Sequence, residues 1–408
     1  MHEKRHFPAT WMILLAGGLV LGMAMGTRHI QGLFMLPMLA ERGWGREAFA
    51  FAVGLQTLVW GLLQPVTGMI ADRFGTARVI ASGCVAYALG LIFEATAPTP
   101  GWLAAGVGIV LGAALSATTF ATVNAGLARM FPENRRGWAQ GIAGAAGGFV
   151  QFILVPAGQW SIVAFGWVGA LQALACVILL CALAGLLVDD RSERARANSP
   201  GVPAQAMGVV VRAALAHRGF WLLNLGFISC GFQLSFLGIH LPAYFRDAGF
   251  ETAVGVNVIA LIALSNAVGT YFCGRLGDLY RRKYLLSAVY ALRTLAMIVF
   301  VALPLSPASA YLFAMVMGIT WLGTVPLTTG VVAQIFGVQY LATLFGLVFL
   351  GHQVGGFFGA WLGGVVYDAA QSYAWMWLIS IALGFASVLL NLPIDDRSVQ
   401  PRMAAAPA

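Results

Sequence analysis

Long apolar runs alternate with short polar interruptions along the whole chain. Runs close to the about 20 residues that a helix needs to cross a bilayer occupy 11–36, 48–70, 78–98, 102–130, 138–159, 164–188, 219–244, 253–276, 284–305, 309–335, 340–366 and 373–392. The pattern predicts an all-α membrane protein of twelve transmembrane helices, here spans 1 to 12. Connections are short except in the middle. There, 189–218 carries Arg191, Glu193, Arg194, Arg196, Ser199, Pro200 and Pro203, a polar stretch rich in helix breakers. The expected organisation is a six-helix half at 1–188, a linker at 189–218, a second half at 219–392 and a tail at 393–408.

The interruption after span 2 sets the frame. Gly68, Asp72, Arg73, Gly75 and Arg78 form a short charged turn between two apolar runs. Gly274, Asp278, Arg281 and Arg282 follow span 8, and Gly68 and Asp72 fall on Gly274 and Asp278 at an offset of 206 residues. At an offset of 205, Gly26, Pro37, Phe131 and Gly141 fall on Gly231, Pro242, Phe336 and Gly346. The chain therefore reads as a duplication, and parallel halves imply a central cavity with rocking of one half against the other.

Composition supports the membrane assignment, with 60% of residues apolar and 9% charged. The net charge of +8 is not a nucleic-acid signature, because about 18 of the 23 Lys and Arg residues fall on one predicted side. That bias puts the linker and both termini in the cytoplasm, and Arg42, Arg46 and Arg246 outside. Lys4 and Arg5 precede a run too long for a signal peptide, so span 1 is expected to stay uncleaved. Arg outnumbers Lys and Ala and Gly abound, pointing to a GC-rich bacterium and its inner membrane. The five cysteines all lie in apolar spans and read as packing residues. No metal ligand cluster, nucleophile constellation or nucleotide-binding Gly-Lys-Ser/Thr loop is evident, so neither an enzyme nor an ATP-driven pump is expected, and no cofactor.

Glycines at 137, 141, 144, 147, 148 and 158 in span 5, and at 351, 355, 356, 359, 363 and 364 in span 11, predict grooves that neighbouring helices enter. Charges inside the spans need a reason, because each costs at least about 2.5–3.5 kcal/mol on insertion scales. They are Arg28 (span 1), Glu94 (span 3) and Arg293 (span 9), accompanied by His29, Gln31, Asn124, Gln233, Asn266, His240, His352 and Gln353. Arg28 can meet an anion or snorkel to headgroups. His352 can contact substrate and carry a proton, or be a packed core histidine. Arg293 and Glu94 are intramembrane charges that could serve proton coupling.

The twelve spans in two halves, the long middle loop and the doubled glycine–aspartate–arginine turn resemble the major facilitator superfamily over nearly the whole chain. That resemblance implies alternating access, a cavity lined by spans 1, 4, 7 and 10, and a gating role for Gly68, Asp72, Arg73, Gly75, Arg78, Gly274, Asp278, Arg281 and Arg282. These would hold the cytoplasmic side shut when the outside is open. It also places Arg28 and Gln233 as candidate partners across the cavity. Within the superfamily, Gly26 to Phe34 and the stretch around His352 are most similar to the monocarboxylate porters and oxalate–formate antiporters. Span 8 departs from that group, offering Asn266 and Thr270 where an acid and an arginine are usual, so the group's proton mechanism does not transfer.

The expected function is secondary transport of a small organic anion, a monocarboxylate first, by proton symport or anion exchange. Substrate-binding candidates are Arg28, His29, Gln31, Asn124, Gln233, Asn266, His352 and Gln353. The partners are that anion, a proton and the lipid bilayer, with no nucleotide or nucleic acid, and the carrier is expected to be a monomer. The alternatives are an efflux pump for drug-like hydrophobic compounds, which would more often carry an acid in span 1 or 4, and a membrane sensor, which would carry an extra domain.

Overall fold

The structure is a computed structural model, describing residues 7–131, 136–190, 207–336 and 341–399. Eleven helices are long and apolar enough to cross a membrane. One of them, Gly141–Gly185, is 45 residues long, about twice what a bilayer accommodates. It belongs to a continuous element, Arg136–Gly185, broken at Gly166, where φ is 72° and ψ 169°. Only glycine adopts that conformation cheaply, so Gly166 divides spans 5 and 6 and restores the count of twelve among the described residues.

The remaining spans are Phe7–Arg42 (span 1), Arg46–Phe74 (2), Thr76–Thr96 (3), Arg218–Asp247 (7), Thr252–Leu279 (8), Arg282–Ala302 (9), Leu341–Ala370 (11) and Ala374–Asn391 (12). Spans 2 and 3 are separated by Gly75 alone, at φ 102° and ψ 140°, so the turn between them depends on a glycine. Within the predicted linker, Met207–Ala216 is itself helical.

Spans 4 and 10 are discontinuous. Span 4 runs through Pro100–Leu103, a π-wound stretch Ala104–Leu111, Gly112–Thr118 and, after a break at Thr119, Phe120–Met130. Span 10 is Pro307–Thr320 and Thr324–Phe336, broken at 321–323. The two breaks fall at nearly the same position of the internal repeat.

The glycine grooves are filled as the small-residue spacing requires. Gly18 and Gly22 of span 1 lie against Ala143, Ala146 and Gly147 of span 5, while Gly355 and Gly359 of span 11 lie against the backbone of Ile228 and Phe232 in span 7. The repeat-related glycines behave alike: Gly26 packs on Gln151 and Leu154 of span 5, and Gly231 on His352 of span 11.

Span 1 enters and span 12 leaves at the same end of the bundle, the terminal end. Close contact between the halves concentrates at the opposite, distal end. There a Cβ added to Gly32 of span 1 would stand 2.7 Å from the carbonyl oxygens of Gly238 and Ile239 in span 7. At the terminal end, a Cβ added to Gly68, Gly141, Gly274 or Gly346 meets nothing within 4 Å. The halves are closed distally.

Candidate functional site

Arg28 is half-buried in span 1 and donates from Nη2 to Thr57 Oγ1 of span 2 at 2.6 Å. Its guanidinium lies 5.6 Å from the ring centroid of Trp60, one turn further along span 2. Trp60 in turn meets Phe349 of span 11 edge to face at 5.2 Å. Phe349 stacks on His352 at 5.4 Å, with the planes 8° apart. A continuous line thus runs from Arg28 in one half to His352 in the other, with two aromatic rings between them. His352 is mostly buried, flanked also by Phe227 at 4.7 Å, and its Nδ1 lies 2.9 Å from Gln353 Oε1. Gln353 packs against Gly61 of span 2. Among the described residues no carboxylate pairs with Arg28, and its Nε has no partner.

The other candidates separate from this line. His29 lies on a different face of span 1, its Nε2 donating to the carbonyl of Ile259 in span 8 at 3.2 Å, and its ring meeting Trp321 edge to face at 6.0 Å. Trp321 opens the break in span 10. That break is held by Arg293, which is completely buried and donates to the carbonyls of Thr320 and, at 3.0 Å, Trp321. These are the oxygens a helix leaves unsatisfied at its carboxyl end, and a cation there also complements the helix dipole. Asn266 serves the other side of the gap, accepting from the Leu322 amide at 3.0 Å and from Thr270 Oγ1 at 3.1 Å. Gln233 is buried against this cluster, accepting from Arg293 Nη1 at 3.3 Å and donating to the Ser380 carbonyl at 2.8 Å. Gln233 and Arg28 therefore do not form the pair anticipated between them: each bonds within its own half. Arg293 sustains the backbone of span 10.

The span 4 break is met by neutral groups. Gln64 Nε2 donates to the Ser116 carbonyl at 3.0 Å, Thr122 Oγ1 donates to the same oxygen at 3.1 Å, and Trp60 Nε1 donates to Gln64 Oε1 at 2.7 Å. Trp60 thereby links the Arg28 line to the break. Asn124 is half-buried just beyond it. Gln31 and Glu94 are fully buried, with no hydrogen-bond partner for either side chain among the described residues. His240 is a satisfied core residue, its Nε2 2.8 Å from the Ala360 carbonyl and its Nδ1 3.1 Å from Tyr373 Oη.

Of the terminal-end cluster, the side chains of Asp72 and Arg73 lie outside the described residues, and Arg78 is exposed. Asp278 is largely exposed and reaches Arg282 at 3.4 Å. The better-placed carboxylate is Asp396, bonded by Arg281 at 2.5 Å and lying 3.9 Å from Lys283 Nζ. The hydrogen bond from Arg281 holds its carboxyl below the usual aspartate range, with the Lys283 and Arg281 charges adding to the effect. In the first half, Asp190 accepts from the Thr76 amide at 3.1 Å and the Thr76 hydroxyl at 2.8 Å. Asp190 and Asp396 are 206 residues apart, inside matching stretches Val188–Ser192 and Ile394–Ser398 that differ at one position in five. That repeat was readable in the sequence and marks two clasps within the halves.

At the distal end the halves are joined through Arg46. Its guanidinium bonds both oxygens of Asp247 at 2.8 and 2.7 Å and Tyr373 Oη at 2.7 Å, and lies 3.7 Å from the Tyr367 ring centroid. Asp368 accepts from the Arg46 and Glu47 amides at 3.2 and 2.9 Å. Gly45 offers span 2 no side-chain cap, so a carboxylate from span 11 caps that helix.

Two halves with repeat-related broken helices, closed at one end around the Arg46 cluster, define a multi-pass membrane carrier. The sequence profile of the Major Facilitator Superfamily matches residues 14–336 and 252–405, and the chain belongs to that family. Monocarboxylate transporter 13 of Bos taurus is 26% identical over 391 residues, covering 94% of this chain and 89% of that one. The uncharacterized MFS-type transporter YcxA of Bacillus subtilis is 24% identical over 407 residues, covering 95% of this chain and 96% of that one. In fold, the chain is similar to a bacterial homolog of the human lysosomal transporter Spinster, in an inward-facing and unoccupied conformation. The TM-score is 0.68 at 18% identity, over 94% of this chain and 93% of that one.

Proposed function

We infer that the protein is a secondary transporter for a small organic anion, a monocarboxylate being the best-supported class, working by alternating access in the inner membrane of a bacterium. One observation carries the reading: a half-buried guanidinium at Arg28 with no carboxylate partner among the described residues. A cation inside a membrane protein calls for negative charge, and an anionic ligand would supply it here. An arginine–carboxylate hydrogen bond is charge-assisted and about twice as strong as a neutral one. Trp60 and Phe349 flank the line from Arg28 to His352 with apolar surface, which suits an anion carrying a short hydrocarbon tail. The monocarboxylate transporters among the relatives support the same class. Exchange and proton symport both fit this arrangement; under symport, His352 and Glu94 are the candidates for the proton.

The test is uptake of radiolabelled lactate, pyruvate, formate and oxalate into proteoliposomes, with and without a pH gradient. Arg28→Gln should reduce uptake of the active substrate by roughly 100-fold, the loss of one charged hydrogen bond of up to about 3 kcal/mol. Arg28→Lys should keep part of the rate, losing the forked geometry alone. Unchanged equilibrium binding in Arg28→Gln would remove the anion reading.

A further inference from the structure

The amino-terminal half contains a second polar site, beside the Arg28 end of the Arg28–His352 line. Seven of its side-chain atoms are buried with no hydrogen-bond partner among the described residues: Thr27 Oγ1, both amide atoms of Gln31, both of Gln56 and both oxygens of Glu94. All four residues are almost wholly inaccessible, and Glu94 is the one carboxylate among them. Buried polar atoms are almost always paired, so this many orphans in one half require an occupant.

The helix register brings them together. Spans 1 and 3 run in parallel, and Tyr87 Oη donates to the Ala24 carbonyl at 3.0 Å. Seven residues further, on the same face of each helix, stand Glu94 on span 3 and Gln31 on span 1, with Thr27 one turn below Gln31. Gln56 follows from span 2, next to the Thr57 that Arg28 contacts. The π-wound stretch of span 4 packs against spans 3 and 2 beside Glu94 and Gln56. Gly106 packs on Phe93 and the Glu94 amide, and a Cβ added to Gly112, just past its end, would stand 2.8 Å from the Gln56 carbonyl oxygen. A π-wound segment in a membrane helix is uncommon and concentrates at functional sites.

We propose that Glu94, Gln31, Gln56 and Thr27 form a binding site for one monovalent cation, taken as Na⁺ or as a proton, and that this is the coupling-ion site of the carrier. The donor chemistry is one carboxylate with carboxamide and hydroxyl oxygens. That set neutralises a single positive charge and is too poor in charge for a divalent ion, which draws more carboxylates. The ionisable groups near Glu94 are Tyr87 on its own helix and, beyond Tyr87, Arg28 of span 1. Among the described residues no charged side chain lies close enough to Glu94 to act on its carboxyl directly. The proposal rests on the chain being a secondary transporter and is independent of which anion it moves.

The experiment uses full-length protein in lipid nanodiscs with no organic solute present. Binding of radioactive sodium is measured at several pH values, and infrared difference spectra report protonated carboxyl groups. With Na⁺ as occupant, wild type binds the tracer in competition with protons, and Glu94→Gln and Gln56→Leu each weaken binding by at least about tenfold, the loss of one ligand. With a proton as occupant, wild type binds no sodium but shows a carboxyl band that titrates and that Glu94→Gln lacks. Monodispersity and unfolding temperature establish that both variants fold. If wild type and Glu94→Gln bind sodium equally and share every carboxyl band, the cluster holds only water and the proposal fails. Because no organic anion enters the assay, that failure would leave the anion reading intact.

Discussion

The distal latch makes the sharpest prediction. Arg46 carries the closed contact: a two-pronged bond to Asp247, a hydroxyl from Tyr373 and the face of Tyr367, all from the opposite half. Asp247→Asn preserves size and removes the charge, so the forked pair is lost while the helix termini stay in place. Hydrogen bonds to charged groups contribute about 1.5–3 kcal/mol. The Arg46 and Asp247 side chains are 11% and 29% exposed, so solvent screens part of this, and the lower figure applies. About 1.5 kcal/mol moves the balance between distally closed and distally open forms by roughly tenfold.

Spin labels at Thr96 and Ala308, exposed positions on opposite halves near the distal end, read the balance as a distance distribution. Wild type should show mainly the short distance. Asp247→Asn should gain a longer component, and Arg46→Gln a larger one, since it also loses Tyr373 and Tyr367. In a double-mutant cycle the two changes should be markedly less than additive, because they remove one interaction. Raising salt should push wild type in the same direction, more weakly. Distance distributions that coincide for wild type, Asp247→Asn and Arg46→Gln would show that the pair is incidental to closure.

Gly32→Val should open the distal end by another route, because its side chain would collide with the Gly238 and Ile239 carbonyls; the same labels should report it, with thermal stability little changed. Asp396→Asn should lower the unfolding temperature by releasing Arg281 and Lys283 at the terminal end, read by a thermal melt in detergent. The pH dependence has a definite sign: Asp396 has a depressed folded-state pKa, so its contribution is present above the ordinary aspartate range and fades as pH falls through the folded value. The melt of Asp396→Asn should therefore differ most from wild type near neutrality and converge with it in acid.

The spans were legible because hydropathy reports burial in lipid directly, and duplication could be read from glycines, prolines and one charged turn. Span 5 and span 6 were separable for the same reason, although their boundary turned out to be one left-handed glycine within a continuous element. The breaks in spans 4 and 10 were not legible. Their stretches are as apolar as any other, and what permits them is a partner on another helix: Gln64 for the first, Arg293 and Asn266 for the second. Arg28 stood out as a charge in an apolar run, whereas Trp60 and Phe349 were invisible because an aromatic residue is unremarkable in such a run. The charge bias placed Arg46 outside and nothing in the sequence singled out Asp247 or Asp368, since only the fold brings three separate ends together.

The two kinds of polar cluster differ in what they join, and the difference bears on how the molecule can move. Asp190 ties the start of span 3 to the end of span 6, and Asp396 ties the loop before span 9 to the segment after span 12. Both bonds stay inside one half, at repeat-related places, and would survive any rocking of one half against the other. The Arg46 cluster and the Gly32 contact cross between halves and cannot survive it. Bodies braced internally and latched to each other at one end have a natural hinge near the middle, where Trp60 meets Phe349 and Gly148 lies 3.4 Å from Ala267 by its added Cβ. The proposed anion path from Arg28 to His352 crosses that level. A ligand bound there would touch both bodies at the pivot, so a small adjustment around it would be amplified at the ends, where the latch either forms or parts.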